Sequence, residues 1–290
     1  MKKIIILVPV FNDWESLIEL LNDINNSIIN FKNYEFNCIV INDASTSKQP
    51  KISKPSNLKS LNIINMKENR GHARCNAFGI RHINANIIFD YVILMDGDGE
   101  DRPVEIKYLI DKITNYPDTS VVAKRIKRSE GPIFRSMYYA HKLITYIFTG
   151  KKINFGNYCC LTIKDINLIS NKGSLWCSFS GTIKKYLYNL NEINSYRGLR
   201  FFGPSKMSLF NLIVHSFSII AVFRNIVFFR SAVIIIILSF LYNFFGSILI
   251  LPQILVIFFN LVIFVVSFRE NESELFKSGE NVLNENIIKH

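Results

Sequence analysis

Apolar positions in the first part of the chain follow two alternating periodicities. Residues 3–10, 36–41, 61–66 and 91–95 are short, nearly unbroken apolar runs rich in Ile, Val and Leu, and read as buried strands. Between them, apolar residues recur at helical spacing. Leu17, Leu20, Leu21 and Ile24 mark one helix over 14–28, with Asn12 or Asp13 placed to cap it. Residues 73–83 and 104–113 read as two more helices and 120–123 as another short strand. Polar, proline-containing 45–60 reads as a loop. Strands alternating with helices predict an α/β fold with a mostly parallel sheet covered on both faces. Met1-Lys2-Lys3 before the first apolar run resembles the start of a signal peptide, but the run is too short and no cleavage site follows, so it reads as the first strand.

The pattern changes after residue 124. Lys124, Arg125, Lys127, Arg128 and Arg135 crowd together, followed by His141, Lys142, Lys151 and Lys152. Residues 208–229 are apolar almost all round and read as one or two helices lying on a membrane surface. Residues 231–268 hold no Asp, Glu, Lys, Arg or His, a run of 38 residues. One membrane span takes about 20 residues. The run therefore fits two transmembrane helices joined by a turn, at 252–253 or at 243–246, and a single long tilted span is the alternative. Arg224 and Arg230 before the run and Arg269 after it place both ends on the cytoplasmic side, as a hairpin requires. The expected divisions are 1–207, a cytoplasmic globular domain; 208–229, surface helices; 230–269, the hairpin; and 270–290, a loosely ordered polar cytoplasmic tail.

Composition sharpens this picture in two places. The formal net charge is +11, but the excess is local and lies beside an apolar hairpin. Anionic lipid headgroups, each worth about 1 kcal/mol per nearby Lys or Arg, explain it better than nucleic acid. The five cysteines are odd in number and form no Cys-x-x-Cys, so neither a disulfide framework nor a zinc site is indicated.

In open α/β sheets ligands bind beyond the carboxyl ends of the strands. Three polar clusters fall at those ends: Phe11-Asn12-Asp13, Asn42-Asp43-Ala44-Ser45 and Asp96-Gly97-Asp98. An isolated Asp-x-Asp is an ordinary polar turn, but three such clusters at one sheet edge make a site. Two carboxylates one residue apart can share a hard cation. Mg²⁺ or Mn²⁺ takes one or two carboxylates and completes its shell with phosphate oxygens. Asp96 and Asp98 thus suggest a metal-bound diphosphate, such as the leaving group of a nucleotide-sugar. The glycine patterns of dinucleotide and P-loop sites are missing.

These motifs jointly resemble glycosyltransferase family 2, with its GT-A fold. The residues that carry the resemblance are Val8-Pro9-Val10-Phe11-Asn12-Asp13, Val40-Ile41-Asn42-Asp43-Ala44-Ser45, Asn69-Arg70-Gly71 and Asp96-Gly97-Asp98. The piece 96–103, Arg125, the segment 200–206 and the hairpin resemble the branch of dolichyl-phosphate mannose synthase and bacterial polyprenyl-phosphate glycosyltransferases. The resemblance implies an inverting, metal-dependent enzyme. It would carry a sugar from a UDP- or GDP-linked donor to a membrane polyprenyl phosphate in cell-envelope synthesis. Pro9, Phe11, Asp13, Asp43, Arg70 and Asp96 would bind the donor, and Asp96 and Asp98 the Mg²⁺ or Mn²⁺. Asp98, Arg125 and Lys206 would act in transfer, while Arg128, Arg200 and Ser205 would hold phosphate and acceptor; guanidinium forks suit such anions. A homo-oligomer stays open.

Two departures matter. The family's second motif usually begins with an acid, where this chain has Asn42. The family's Asp-x-Gly-x-Phe-Arg is replaced by Asn154-Phe155-Gly156-Asn157-Tyr158-Cys159-Cys160, which lacks both the acid and the Arg. A phosphate acceptor is already ionised and needs no such base, whereas a sugar hydroxyl would. A hydroxyl acceptor, with Asp101 or Asp165 as substitute base, and a non-catalytic nucleotide-sugar-binding protein are the competing readings. His72 and His141 read as polar surface or core histidines.

Overall fold

The computed structural model describes residues 1–127, 132–204 and 208–288. Its centre is an eight-stranded mixed sheet in the order β7-β5-β6-β4-β1-β2-β3-β8. The strands are β1 (Lys2–Val10), β2 (Tyr34–Asn42), β3 (Ser60–Met66), β4 (Tyr91–Leu94), β5 (Val121–Lys127), β6 (Phe155–Thr162), β7 (Asn191–Tyr196) and β8 (Val282–Ile288). Strands β4, β1, β2 and β3 run parallel. Strand β6 is antiparallel to both β4 and β5, which returns β5 to the common direction, and β7 runs parallel to β5. The chain therefore leaves β1, β2, β3, β4, β5 and β7 at one edge of the sheet and enters β6 there.

The period of two along β1 divides the core. Ile4, Ile6, Val8 and Val10 face helices α1 (Trp14–Ile28) and α3 (Ile106–Asn115), packing on Leu17, Leu20, Ile24, Leu109 and Ile113. Ile5 and Leu7 face the other way, onto Phe78, Ile80 and Ile83 of α2 (His72–Asn86). A Cβ at Gly79 would stand 2.6 Å from Leu7, so glycine lets α2 approach β1 closely. Short helices α5 (Ile163–Ile169), α6 (Ser174–Cys177) and α7 (Phe179–Tyr186) complete this second layer. The elements expected in the first part of the chain are all present, with the 104–113 helix preceded by a 3₁₀ turn at Pro103–Glu105.

The rest of the chain is helical before it rejoins the sheet. Helix α4 (Pro132–Thr149) precedes β6, and α8 (Leu209–Ala221) leads to α9 (Arg224–Phe245) and α10 (Ile250–Ser267). A 3₁₀ turn, Gly246–Leu249, joins the last two, with Gly246 at φ 64°. The turn thus falls beside the 243–246 site, and Pro252 sits in the first turn of α10, where its missing N–H costs nothing. Helix α9 starts at Arg224, so no separate surface segment fills 224–229. Both feet of the helical pair rest on the globular domain. Val222, Phe223, Val227 and Ile263 pack with Cys177 and with Phe148 of α4, and Arg224 pairs with Glu270 at 3.1 Å.

The tail expected to be loosely ordered is instead built into the fold. Residues 272–276 form helix α11 (Glu272–Phe276), and β8 pairs antiparallel with β3 along the sheet edge. Helix α11 packs Leu275 into the second core layer, and Arg81 of α2 stacks on Phe276 with its guanidinium 4.3 Å from the ring centre.

Candidate active site

The edge where six strands end collects the polar residues. Asn12 and Ala44, just past β1 and β2, both adopt left-handed backbone, at φ 50° and 55°. Asn12 repays this with its side chain: Oδ1 accepts the N–H groups of Thr46 at 2.8 Å and Ser47 at 3.0 Å. Ala44 has no such side chain, and non-glycine residues held in this region are uncommon and cluster at functional turns.

Asp43 is buried and braces the next loop, accepting the N–H of Arg70 at 2.9 Å and of Gly71 at 2.8 Å. The residue expected to contact the donor thus also shapes the loop around it. The Arg70 guanidinium turns outward to Glu274 of α11 at 3.1 Å and Glu68 at 3.7 Å, so only the backbone of Arg70 faces Asp43. Asn42 explains its own departure. Its amide donates to Asn65 at 2.7 Å, and Asn65 donates to Asn284 at 2.7 Å, a chain of amides across β2, β3 and β8. A carboxylate at 42 could not donate the first of these bonds.

Asp96 and Asp98 follow β4. Gly97 between them is required by space: a Cβ there would stand 2.8 Å from the carbonyl oxygen of Pro9. Asp96 Oδ1 accepts from His72 Nε2 at 2.8 Å and from Asn157 Nδ2 at 3.1 Å. Burial opposes ionisation of Asp96, but His72, then Arg125 and Arg197, hold its carboxyl well below the usual range. Burial also works against a charged His72, and the contact with Asp96 outweighs it, raising the imidazole. Burial, then the charge of Asp96, push Asp98 up to about 6, with Arg200 opposing.

Arg200 comes from the loop after β7. One guanidinium nitrogen bonds Asp98 Oδ2 and the other lies 2.5 Å from Asp13 Oδ2. Arg125 on β5 lies across Gly156, where a Cβ would meet its Nη2 at 2.5 Å, and reaches to 3.9 Å from Asp101. Asp101 is buried and accepts the N–H of Asp96 at 2.9 Å. Burial, then the Asp96 charge, push Asp101 up to about 8.

The fold thus brings Pro9, Phe11, Asp13, Asp43, Asp96, Asp98, Arg125 and Arg200 to one edge. Arg128, Ser205 and Lys206 lie outside the described residues. Asp165 is ruled out as a site residue: it bonds Ser120 and sits in the first turn of α5, by the opposite edge of the sheet. Three contributors escaped sequence reasoning. His72 reads as a polar surface or core histidine until α2 sets it against Asp96. Asn157 lies in the segment flagged for its missing acid, which was the available signal. His215 on α8 has His72, Asp96 and Arg125 among its electrostatic neighbours, and burial, then His72, lower it to about 4. No periodicity in the sequence links it to the sheet edge.

Comparison with known proteins agrees with this geometry. The family model described as "Glycosyl transferase family 2" matches residues 5–187. Curated relatives include the undecaprenyl-phosphate 4-deoxy-4-formamido-L-arabinose transferase of Salmonella choleraesuis, 27% identical over 224 residues, covering 73% of this chain and 64% of the relative. Its Salmonella typhimurium counterpart is 28% identical over 225 residues, with the same coverage of 73% and 64%. The chain therefore spans somewhat less than two thirds of the length of these relatives. Among solved structures, glucosyl-3-phosphoglycerate synthase from Mycobacterium tuberculosis, in complex with Mn²⁺, UDP-glucose and phosphoglyceric acid, superposes with a TM-score of 0.53. The match is 14% identical and covers 78% of this chain and 80% of that one, a likeness of fold. The fold is accordingly GT-A-like.

Proposed function

We propose, from the premise that this chain belongs to glycosyl transferase family 2, that it moves a sugar from a nucleoside-diphosphate donor to a polyprenyl phosphate at a membrane, with inversion at the anomeric carbon. The observation that carries this reading is the single sheet edge where Asp13, Asp96, Asp98, Arg125 and Arg200 meet, beside helix α8, which leads into the apolar pair α9 and α10. The Salmonella relatives named for undecaprenyl phosphate support the acceptor class.

The helical run from Arg224 is apolar and long enough to cross a membrane, with only 6% of its most apolar window buried. At about 1.5 Å per residue, the 22 residues of α9 and 18 of α10 give about 33 and 27 Å, close to the ~30 Å hydrocarbon thickness of a bilayer. Both feet return to the globular domain, as a two-helix hairpin requires. Arg224, Arg230 and Arg269 near those feet favour a catalytic domain on the cytoplasmic face.

The acceptor phosphate arrives ionised. Its oxygen attacks the anomeric carbon from the face opposite the diphosphate, and the electrons of the breaking carbon–oxygen bond leave with the diphosphate. No protein base is needed, which suits a site where Asn157, not an acid, faces Asp96. A hydroxyl acceptor would need a base, and the near carboxyl of Asp101 is buried under the N–H of Asp96 and beside Arg125. Arg125 and Arg200 supply fixed positive charge for the phosphates. Asp96 and Asp98 would hold Mg²⁺ or Mn²⁺. Among the described residues no group of three Asp, Glu, His or Cys gathers into a metal cage, which fits an ion completed by diphosphate oxygens. When bound, such an ion neutralises charge developing on the leaving diphosphate.

The test is a transfer assay on membranes containing the protein, with labelled UDP- and GDP-sugars, polyprenyl phosphate and Mg²⁺ or Mn²⁺. Acid-labile label should enter the organic phase, and Asp98→Asn should reduce it about a hundredfold or more. Acid-stable product would move the reading to a hydroxyl acceptor, and donor binding without any turnover would mark a binding protein.

A further inference from the structure

Arg200 is held where a cation is needed. Its two terminal nitrogens clamp Asp98, at the end of β4, and Asp13, at the end of β1. Asp96 brings another negative charge two residues away, so the edge carries several carboxylates at close quarters. The backbone around Arg200 is fastened to the same turn: Phe201 N–H donates to Asp98 O at 3.0 Å and Gly198 N–H to Glu100 O at 2.9 Å. Arg197 pairs with Glu100, and the Phe201 ring lies over Gly99, where any side chain would collide with it. Yet Arg200 Nε is buried with no partner among the described residues. The side chain is thus anchored at one end, fully engaged by two carboxylates at its tip, and retains one unused buried donor.

We infer that Arg200 is the resident counter-ion of the metal-free site, and that it couples metal and diphosphate binding by exchanging its carboxylate partners for phosphate oxygens. The inference rests on the proposed reading of Asp96 and Asp98 as metal ligands. A divalent ion arriving alone must compete with Arg200 for Asp98 and strand the guanidinium in a poorly hydrated place. A diphosphate arriving alone meets uncompensated carboxylates as soon as it draws Arg200 away. Arriving together, each supplies what the other displaces: the ion takes over Asp98, and the diphosphate takes over Arg200, Nε included. The coupling is a binding free energy, so each ligand must tighten the other by the same factor.

The measurement is Mn²⁺ affinity, read by electron paramagnetic resonance of free Mn²⁺, with and without UDP and with no sugar transfer involved. Wild type should bind Mn²⁺ weakly alone and roughly 10- to 100-fold more tightly with UDP. Arg200→Gln should bind Mn²⁺ alone about tenfold more tightly than wild type, with the UDP effect reduced by a similar factor. Arg200→Lys, which keeps the charge, should stay near wild type for the ion alone. If Arg200→Gln does not fold, Asp13→Asn serves instead: Arg200, held by Asp98 only, is left without a partner when the ion takes Asp98, so Mn²⁺ alone should bind more weakly than in wild type and UDP should tighten it by a larger factor. Unchanged or weaker affinity for Mn²⁺ alone in Arg200→Gln, or an unchanged UDP effect in Asp13→Asn, overturns the coupling while leaving the metal reading intact. Absence of Mn²⁺ binding in every variant, even with UDP, overturns both.

Discussion

Gly97 sits between two candidate ligands and has the backbone carbonyl of Pro9 2.8 Å from where a Cβ would be. Because that neighbour is β1 backbone, it has little room to yield. Gly97→Ala should therefore cost about 1–3 kcal/mol, seen as a lowered melting temperature, and should displace Asp96 and Asp98 enough to depress transfer. Gly279→Ala, with open space around it, is the control and should melt like wild type. Asp101 gives a pH prediction. Its folded-state value of about 8 lies above the unfolded value of about 4, so the folded chain retains a proton that the unfolded chain has lost. Stability of the metal-free protein should fall as pH rises from about 4 towards 8, and Asp101→Asn should flatten that slope in thermal melts taken across the range. At this scale the sequence was readable where chemistry is local. Asp13, Asp43, Asp96 and Asp98 stand at strand ends, and strand ends can be located from apolar runs. What Asn42 does was not readable, because its partner Asn65, and Asn284 to which Asn65 donates in turn, come from strands 23 and 242 residues away. Nor was the use of Arg200 as partner to two carboxylates, since Asp13 lies 187 positions before it.

Strand β8 and helix α11 are the elements that pattern reasoning could not recover. Five of the seven residues of β8 are exposed, so no buried alternation distinguishes Val282–Ile288 from a polar tail. The strand exists because β3 would otherwise present an open edge, and pairing satisfies its backbone groups. The connection into β8 also grips the loop that Asp43 holds from the other side. Asn281 accepts the Glu68 N–H at 3.1 Å and donates to the Glu68 carbonyl at 3.0 Å, while Glu274 holds Arg70. The segment 274–281 and Asp43 at the end of β2 thus position one loop between them. Asn281→Ala removes two bonds between a buried amide and the Glu68 backbone and should cost about 1–2 kcal/mol. If the loop shapes the donor pocket, calorimetry should show weaker UDP binding in Asn281→Ala with membrane association unchanged. Unaltered UDP affinity in a destabilised variant would make the segment a brace for the sheet alone.

Seen whole, the molecule is a GT-A-like domain with an apolar helical pair standing on it, and the two are joined by packing rather than by a linker. Cys177, Ile220, Phe223, Val227 and Ile263 form one buried cluster across the joint, and Arg230 reaches back to the Ile147 carbonyl at 2.8 Å. Large apolar side chains cover the far end instead, with Phe244, Phe245 and Ile248 all mostly exposed. Such a surface is unstable in water and comfortable in lipid, which the long charge-free run announced; the turn position, set by Gly246 rather than Pro252, needed three dimensions. The arrangement predicts a sidedness that cysteine labelling can read directly. All five native cysteines are buried, so they will not compete for a membrane-impermeant maleimide. In intact cells, Ser247→Cys in the hairpin turn should label from outside, whereas Leu199→Cys, 76% exposed beside the site, should label only after permeabilisation. Labelling of both positions only after permeabilisation would mean that the helices lie along one face of the bilayer and do not cross it. The acceptor phosphate would then have to reach the sheet edge from a surface-bound enzyme, and the docked feet of the hairpin would no longer fix the height of the site above the membrane.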